Sequence, residues 1–432
     1  MTLAPQPPGG LLPWGAWYGD RSLPLELPHA WQVDWFELPP APPLSPFQIA
    51  QRIDRLHDSH PHDAPPHPGQ PHASPWPGWR GWLADASHVA IAVDDCARPT
   101  PAAHVLEPLL AAWQTVGYPA DRVRIVLATG AHAPPDSDRL RAKLGPHISA
   151  ACPVEVHNPH GDLCDTGIPY GDRTLRLNRT FATSSRRVCL GSVLPHPFAG
   201  FGGGAKLILP GLTDLDTTER SHKFVLLGLR GGGDPNQNRF RAEAEAIAAQ
   251  LGPTLGLACV PGRNREIVEL FAGDLVASHR AASAHAATLY ATPLPGEYDC
   301  LVLNAYPKDV DLLQSQGALL ALKSRRSSPL RAGGVALLST AASTGVGQHE
   351  LFGPGGRCLR PPKHPPALAG RELWIFAPTL SPADLAWFFP PETRLFTSAA
   401  ELRDALRHHL GETARCAVVP TAPLQQLLEP PA

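Results

Sequence analysis

No two of the eight cysteines stand at C-x-x-C spacing; they lie apart at 96, 152, 164, 189, 259, 300, 358 and 416. A disulfide framework and a structural zinc site are therefore not expected. Charge of one sign is also lacking, with Lys+Arg 37 against Asp+Glu 39 and a formal net charge of -2. Such a balance leaves no electrostatic footprint for nucleic acid or an anionic membrane, so the expected partner is a small molecule. No apolar run approaches membrane-spanning length, and the first residues lack a basic stretch leading into an apolar core. The chain accordingly reads as cytoplasmic, with no membrane partner. No internal repeat is visible.

Proline, in contrast, is abundant at 51 residues and clusters in segment 57–79, HDSHPHDAPPHPGQPHASPWPGW. Without hydrophobic periodicity, that segment reads as an inserted, poorly ordered loop. It contains His57, His60, His62, His67 and His72, but no metal-ligand spacing recurs.

A length of 432 residues suits two α/β domains, each able to bury a core. The apolar runs Val89–Val93 and Val123–Leu127 each end in a polar loop, and His104–Val116 between them has helical spacing, which makes a β-α-β unit. Segment 188–194 is a further strand. Helices are predicted over Arg241–Leu251 and Leu275–Tyr290. PLPGE at 293–297 is a plausible boundary, so the expected domains are 1–292, carrying catalysis and cofactor binding, and 293–432. The second should contain strands at Cys300–Leu303, Gly334–Leu338 and Leu373–Phe376 and a helix at Ala399–His409. The fold class is α/β, with mainly parallel or mixed sheets flanked by helices and an active site expected in the cleft between domains.

Pro195–Gly211, PHPFAGFGGGAKLILPG, is the most informative segment. Gly202, Gly203 and Gly204 lack a Cβ, so their backbone amides could approach a ligand closely, and Lys206 follows as a nucleophile or charge partner. The nucleotide P-loop pattern fails, because Ala205 and Leu207 stand where its second glycine and its hydroxyl belong. Gly200, Gly202 and Ala205 satisfy G-x-G-x-x-A with Glu219 downstream, which keeps a nicotinamide-dependent 2-hydroxyacid dehydrogenase as an alternative. Against it, His196, Pro197 and Phe198 separate the strand from the first glycine. Asp216-Thr217-Thr218-Glu219 has the form of an N-cap with a carboxylate at N3, so a helix is expected there, with His222 in its second turn. Asp95, Arg98 and His132 follow the two upstream strands and should project toward one crevice.

Taken in order, DDCARP, ATGAH, PHPFAGFGGGAK and a helical histidine resemble the lactate racemase family, whose members carry a nickel-pincer nucleotide. The resemblance is tight over about 89–226 and looser over 299–350. It matches Asp95 and Arg98 to the first segment, His132 to the second, His196 and Lys206 to the third, and His222 to the last. It implies a nickel-bound pyridinium-3-thioamide-5-thiocarboxylic acid mononucleotide, joined to Lys206 as a thioamide, with Asp95, Gly202, Gly203, Gly204 and Gln314 around it and His222 as nitrogen ligand to the metal. Arg98 and Gln314 would bind the substrate, a 2-hydroxy acid. One of His132 and His196 would remove the hydroxyl proton while hydride passes to the cofactor, and the other would reprotonate the keto oxygen as hydride returns. Maturation partners are implied as well: a carboxylase, a sulfur transferase and a nickel insertase. A non-catalytic nickel or cofactor-binding protein would keep Lys206 and His222 without needing the paired histidines.

Three departures stand out. Cys96-Ala97 replaces the family's small residue and threonine, Gly202 replaces a serine, and Gly317 stands where the family has lysine. The last leaves two outcomes open: a pocket that admits a side chain larger than the methyl of lactate, or a charge restored by Lys308, Lys323 or Arg325.

Overall fold

Val89–Asp94, with every residue buried, is a central strand of a six-stranded sheet in the computed structural model, which describes residues 10–55, 78–226 and 238–429. The order across the sheet is Ile267–Asp274, Thr254–Pro261, Arg186–Ser192, Val89–Asp94, Val123–Ala128, Val154–Val156. Neighbours are parallel except the antiparallel pair formed by the first two. Burial on both faces explains why the middle strands read as unbroken apolar runs. Val89, Ile91 and Val93 enter one core cluster with Leu106, Leu109 and Trp113 of the helix Ala103–Thr115. Ala90 and Ala92 enter another, shared with Ala205, Leu207 and Ile208. Small side chains on that face let the Gly204–Leu207 turn settle close to the sheet.

The chain runs outward from Val89–Asp94 to Val123–Ala128 and Val154–Val156, then returns to Arg186–Ser192 on the opposite side. Strand order therefore reverses between Val89–Asp94 and Arg186–Ser192. In open α/β sheets a ligand crevice forms beyond the carboxyl ends of the strands at such a reversal. DDCARP leaves one of the two flanking strands and PHPFAGFGGGAK leaves the other.

A second six-stranded sheet is parallel throughout, in the order Arg394–Phe396, Glu372–Phe376, Leu330–Ser339, Tyr298–Asn304, Arg415–Val419, Gln32–Trp35. Leu301 and Leu303 face one cluster, Cys300 and Val302 the other. The chain thus divides into a unit of residues 41–286 and another in which the described part of 1–40 joins 287–432. This differs from a division at 292/293 in two respects: residues 287–292 join the second unit, and Gln32–Trp35 is an edge strand beside Arg415–Val419, a pairing that carries the N-terminal segment into that unit. Segment 57–79 lies outside the described residues except for its last two, which open the helix Gly78–Leu83.

Candidate active site

Asp94 closes the strand Val89–Asp94 and is buried. Its Oδ1 lies 2.7 Å from Nζ of Lys143, and its Oδ2 accepts from Thr100 Oγ1 at 2.6 Å and Ser192 N at 2.8 Å. Lys143, fully buried, also donates to the Asp95 carbonyl at 2.9 Å. One carboxylate and one ammonium thereby join both strand ends at the reversal to the DDCARP loop. Removing one partner of a buried pair leaves the other uncompensated, so Lys143→Met is expected to destabilise the fold by about 3–5 kcal/mol. The double variant Asp94→Asn/Lys143→Met should lose less than the sum of the two single changes, as read from urea midpoints.

Asp95 is held in that loop with Oδ1 accepting from Ala97 N at 3.1 Å. Its Oδ2 lies 3.8 Å from Nδ1 of His132, whose side chain is mostly buried. Arg98, half-buried, donates its backbone N–H to the Asp95 carbonyl at 3.1 Å. His132 sits in the turn after Val123–Ala128, where Gly130 at φ +56 donates to the Gly211 carbonyl at 2.9 Å. That bond fastens the ATGAH loop to the segment just beyond Lys206. Beneath it, His157 donates through Nε2 to the Thr213 carbonyl at 3.0 Å, and burial pushes its pKa down to about 4.

The glycine loop is governed from behind. A Cβ on Gly203 would stand 2.9 Å from the Ser192 carbonyl oxygen, and one on Gly204 would lie 2.6 Å from the His279 ring; both residues have positive φ. The protein's own packing thus calls for glycine at both positions. Arg241, fully buried, donates to the carbonyls of Phe201 and Gly203, the latter at 2.9 Å, while His279 Nε2 donates to that of Gly202 at 2.8 Å. Burial lowers the Arg241 pKa to about 10 and, reinforced by the Arg241 charge, holds His279 neutral. Three successive carbonyls are thus captured by two side chains, and Lys206 follows in the turn they shape.

His222 lies on the helix Leu215–Leu226. The helix begins two residues earlier than its sequence suggests, because Asp214 takes the capping role, accepting from Thr217 N at 2.9 Å and Thr217 Oγ1 at 2.7 Å. Since a carbonyl can only accept, the 2.7 Å contact of His222 Nδ1 with the Thr218 carbonyl places the proton on Nδ1 and leaves Nε2 with its lone pair. Burial, with the charge of Lys206 adding to it, lowers the His222 pKa to about 4, so the ring is neutral at pH 7. His196, Phe198, His222 and Phe240 form a chain of ring contacts with centroids 5.4–5.7 Å apart.

Asp95, Arg98, His132, His196, Lys206 and His222 therefore belong to one unit, around the carboxyl ends of three adjacent strands. Gln314 belongs to the other unit, buried in the short helix Leu312–Ser315 that Asp311 caps. In that unit Lys308, also buried, places Nζ 3.3 Å from the point where a Cβ on Gly317 would stand. Glu219, a candidate ribose ligand in the dehydrogenase alternative, instead pairs with Lys223 one helical turn on, at 3.5 Å. Among the described residues no three His, Cys, Asp or Glu side chains are grouped to hold a metal ion, and no helix is long and apolar enough to cross a membrane.

Residues 78–230 match the family model for the lactate racemase N-terminal domain. Over that segment the chain resembles the lactate racemase family. It is 26% identical over 280 residues to a lactate racemase of Lactiplantibacillus plantarum, covering 62% of this chain and 64% of that one. It is also 26% identical over 276 residues to a lactate racemase of Thermoanaerobacterium thermosaccharolyticum, covering 61% and 62%. The chain thus spans just under two thirds of the length of these relatives. In fold it is similar to the lactate racemase apoprotein of Thermoanaerobacterium thermosaccharolyticum, with a TM-score of 0.71 and 18% identity over 98% of this chain and 100% of that one. A protein from Thermotoga maritima has a TM-score of 0.63 at 12% identity, covering 88% and 97%.

Proposed function

We propose that this protein racemises or epimerises a 2-hydroxy acid at its α-carbon, using a nickel-pincer nucleotide held covalently on Lys206. The observation that carries this reading is His222: a buried, neutral imidazole whose Nδ1–H is engaged by Thr218, which puts the lone pair on Nε2, and whose pKa feels the charge of Lys206. That is the protonation state a metal ligand needs, and Thr218 is the kind of outer partner that fixes such a ring. The resemblance supplies the remaining donors from the cofactor itself; two sulfurs and a carbon beside an imidazole suit nickel. When bound, the group supplies a hydride acceptor for the substrate α-carbon.

The chain's own residues do the rest. Lys206 provides the amine for attachment, and its turn is held rigid by Arg241 and His279. Arg98, in the loop that leaves the strand reversal, would bind the substrate carboxylate. His132 and His196 attend the hydroxyl, whose proton must leave and return as the α-carbon loses and regains hydride. Gln314 is assigned to the substrate or the cofactor by the resemblance.

A nicotinamide dehydrogenase is the poorer reading: the glycines enter a four-residue 3₁₀ turn rather than a helix, and Glu219 is engaged by Lys223. A mere carrier has no use for His132 beside Asp95. The test is intact mass, nickel content and racemisation of protein produced with and without the carboxylase, sulfur transferase and nickel insertase. Mass increase, nickel and activity should appear together only when all three are present, and Lys206→Ala should abolish them. A fully active preparation with no added mass and no nickel would sink this proposal.

A further inference from the structure

Four carbonyl groups in the loop that leads from His196 to Lys206 are held by side chains from further along the chain. Asn238 donates through Nδ2 to the Phe198 carbonyl at 2.9 Å, while its Oδ1 caps the helix Arg239–Gln250 by accepting from Arg241 N at 3.0 Å. Arg241 spans two acceptors, the carbonyls of Phe201 and Gly203, and His279 of the helix Leu275–Leu289 reaches the one between them, that of Gly202. The His279 ring also fills the space where a Cβ on Gly204 would stand. Arg280, next to His279, lies 2.8 Å from Glu245, one turn after Arg241, so the two helices that carry the donors are themselves joined. Asn238, Arg241, Glu245 and His279 are all buried.

None of these groups has a part in the hydride and proton transfers proposed above, and burying a guanidinium is costly. The loop supplies the reason. Gly202, Gly203 and Gly204 give it wide backbone freedom, and without a restraint such a stretch would present Lys206 in many positions. After Lys206 the chain is already fixed, because Gly211 N donates to the Lys206 carbonyl at 3.1 Å and Ile208 N to that of Ala205 at 3.0 Å. The side-chain clamp fixes it from the other end.

We infer that Asn238, Arg241 and His279 are positioning residues for cofactor attachment: by capturing the carbonyls of Phe198, Phe201, Gly202 and Gly203 they set the loop before the nucleotide arrives, and so govern how readily Lys206 is loaded. This rests on the function proposed above. Attachment is a condensation with no change of oxidation state. The Lys206 amine forms a C–N bond to a thiocarboxyl carbon, the C–O bond breaks, and water leaves with one amine hydrogen and the thiol hydrogen, so that the thioamide keeps the sulfur. A loop ordered in advance spares this step the entropy of ordering it. Once the C–N bond exists it restrains Lys206 as well, so the clamp matters more to loading than to turnover.

The test follows early loading in protein produced with the carboxylase, sulfur transferase and nickel insertase, by intact mass, nickel content and turnover per nickel. Arg241→Lys keeps the charge but offers one ammonium where a fork reached two carbonyls, and should load about 10-fold more slowly, the size of one lost charge-assisted bond. His279→Ala should also load slowly. His279→Gln, which retains an N–H near the Nε2 position, should recover most of that loss. Leu109→Ala removes core volume on the opposite face of the sheet and controls for stability, so it should load as the parent does. In cofactor-free protein, hydrogen exchange over residues 198–206 should quicken in Arg241→Lys and His279→Ala but not in Leu109→Ala. Clamp variants that load as fast as the parent, a Gln variant no better than Ala at 279, or a Leu109→Ala protein that loads as poorly as they do, would overturn the positioning role alone. A parent that takes up neither mass nor nickel with all three enzymes present overturns the proposed function, and this role falls with it.

Discussion

His132→Ala is expected to lower turnover by 100-fold or more, the usual size of a lost general base, while the adduct on Lys206 stays in place. In racemisation the two substrates are enantiomers and the equilibrium constant is one, so kcat/KM must fall by the same factor in both directions. Equal losses there carry no information about handedness, which must appear in kcat and KM separately. The measurement is therefore a full progress curve from each enantiomer, with intact mass to show that loading is unchanged. Parental rates from either side would remove His132 from the mechanism. Asp95→Asn should give a smaller loss, since it leaves the imidazole in place and removes only the charge 3.8 Å from Nδ1.

How much of this was legible in the chain depends on the distance over which each interaction acts. Val89–Asp94 and Val123–Ala128 could be read because burial on both faces writes an uninterrupted apolar run, and the helix Ala103–Thr115 because it keeps one apolar stripe. Those elements alone place Asp95, Arg98 and His132 at a strand edge. The groups that hold the site were not legible. Lys143 lies in SDRLRAKL, which reads as a solvated helix until its ammonium proves to be buried against Asp94, forty-nine positions away. Arg241 likewise lies in a helix of alternating charge and alanine, and nothing local shows that it grips the glycine loop. The glycines were read by their freedom, whereas the carbonyl of Ser192 and the ring of His279 are what exclude a side chain there. The strand Gln32–Trp35 gave no signal of its partner, because a parallel edge pairing across some 380 positions leaves no periodicity in either segment.

The lysine that the family resemblance leads one to expect at 317 is expected to be replaced in function by Lys308, and substrate preference should follow. Gly317 does not open a void: a Cβ there would meet the Lys308 ammonium at 3.3 Å and its Cε at 3.6 Å, so the volume released by the missing side chain is already taken by a cation. Lys308 is almost fully buried, and a buried ammonium is retained only where it answers negative charge or hydrogen-bond acceptors. On this ground the substrate is expected to stay short, near lactate in size, rather than to gain a bulky side chain. Lys308→Met should cost about 10- to 150-fold in kcat/KM, the equivalent of one charge-assisted contact of roughly 1.5–3 kcal/mol, and the loss should fall mainly on KM. Gly317→Lys alone should not improve the enzyme, because two ammonium groups would compete for one site. Combined with Lys308→Met it should recover most of the loss, since the charge returns from the other side of the same space. Assays with aliphatic, aromatic, dicarboxylic and sugar 2-hydroxy acids on all four proteins decide the matter. A parent that prefers long side chains, or a double variant no better than Lys308→Met, would show that Lys308 does not stand in for the absent lysine.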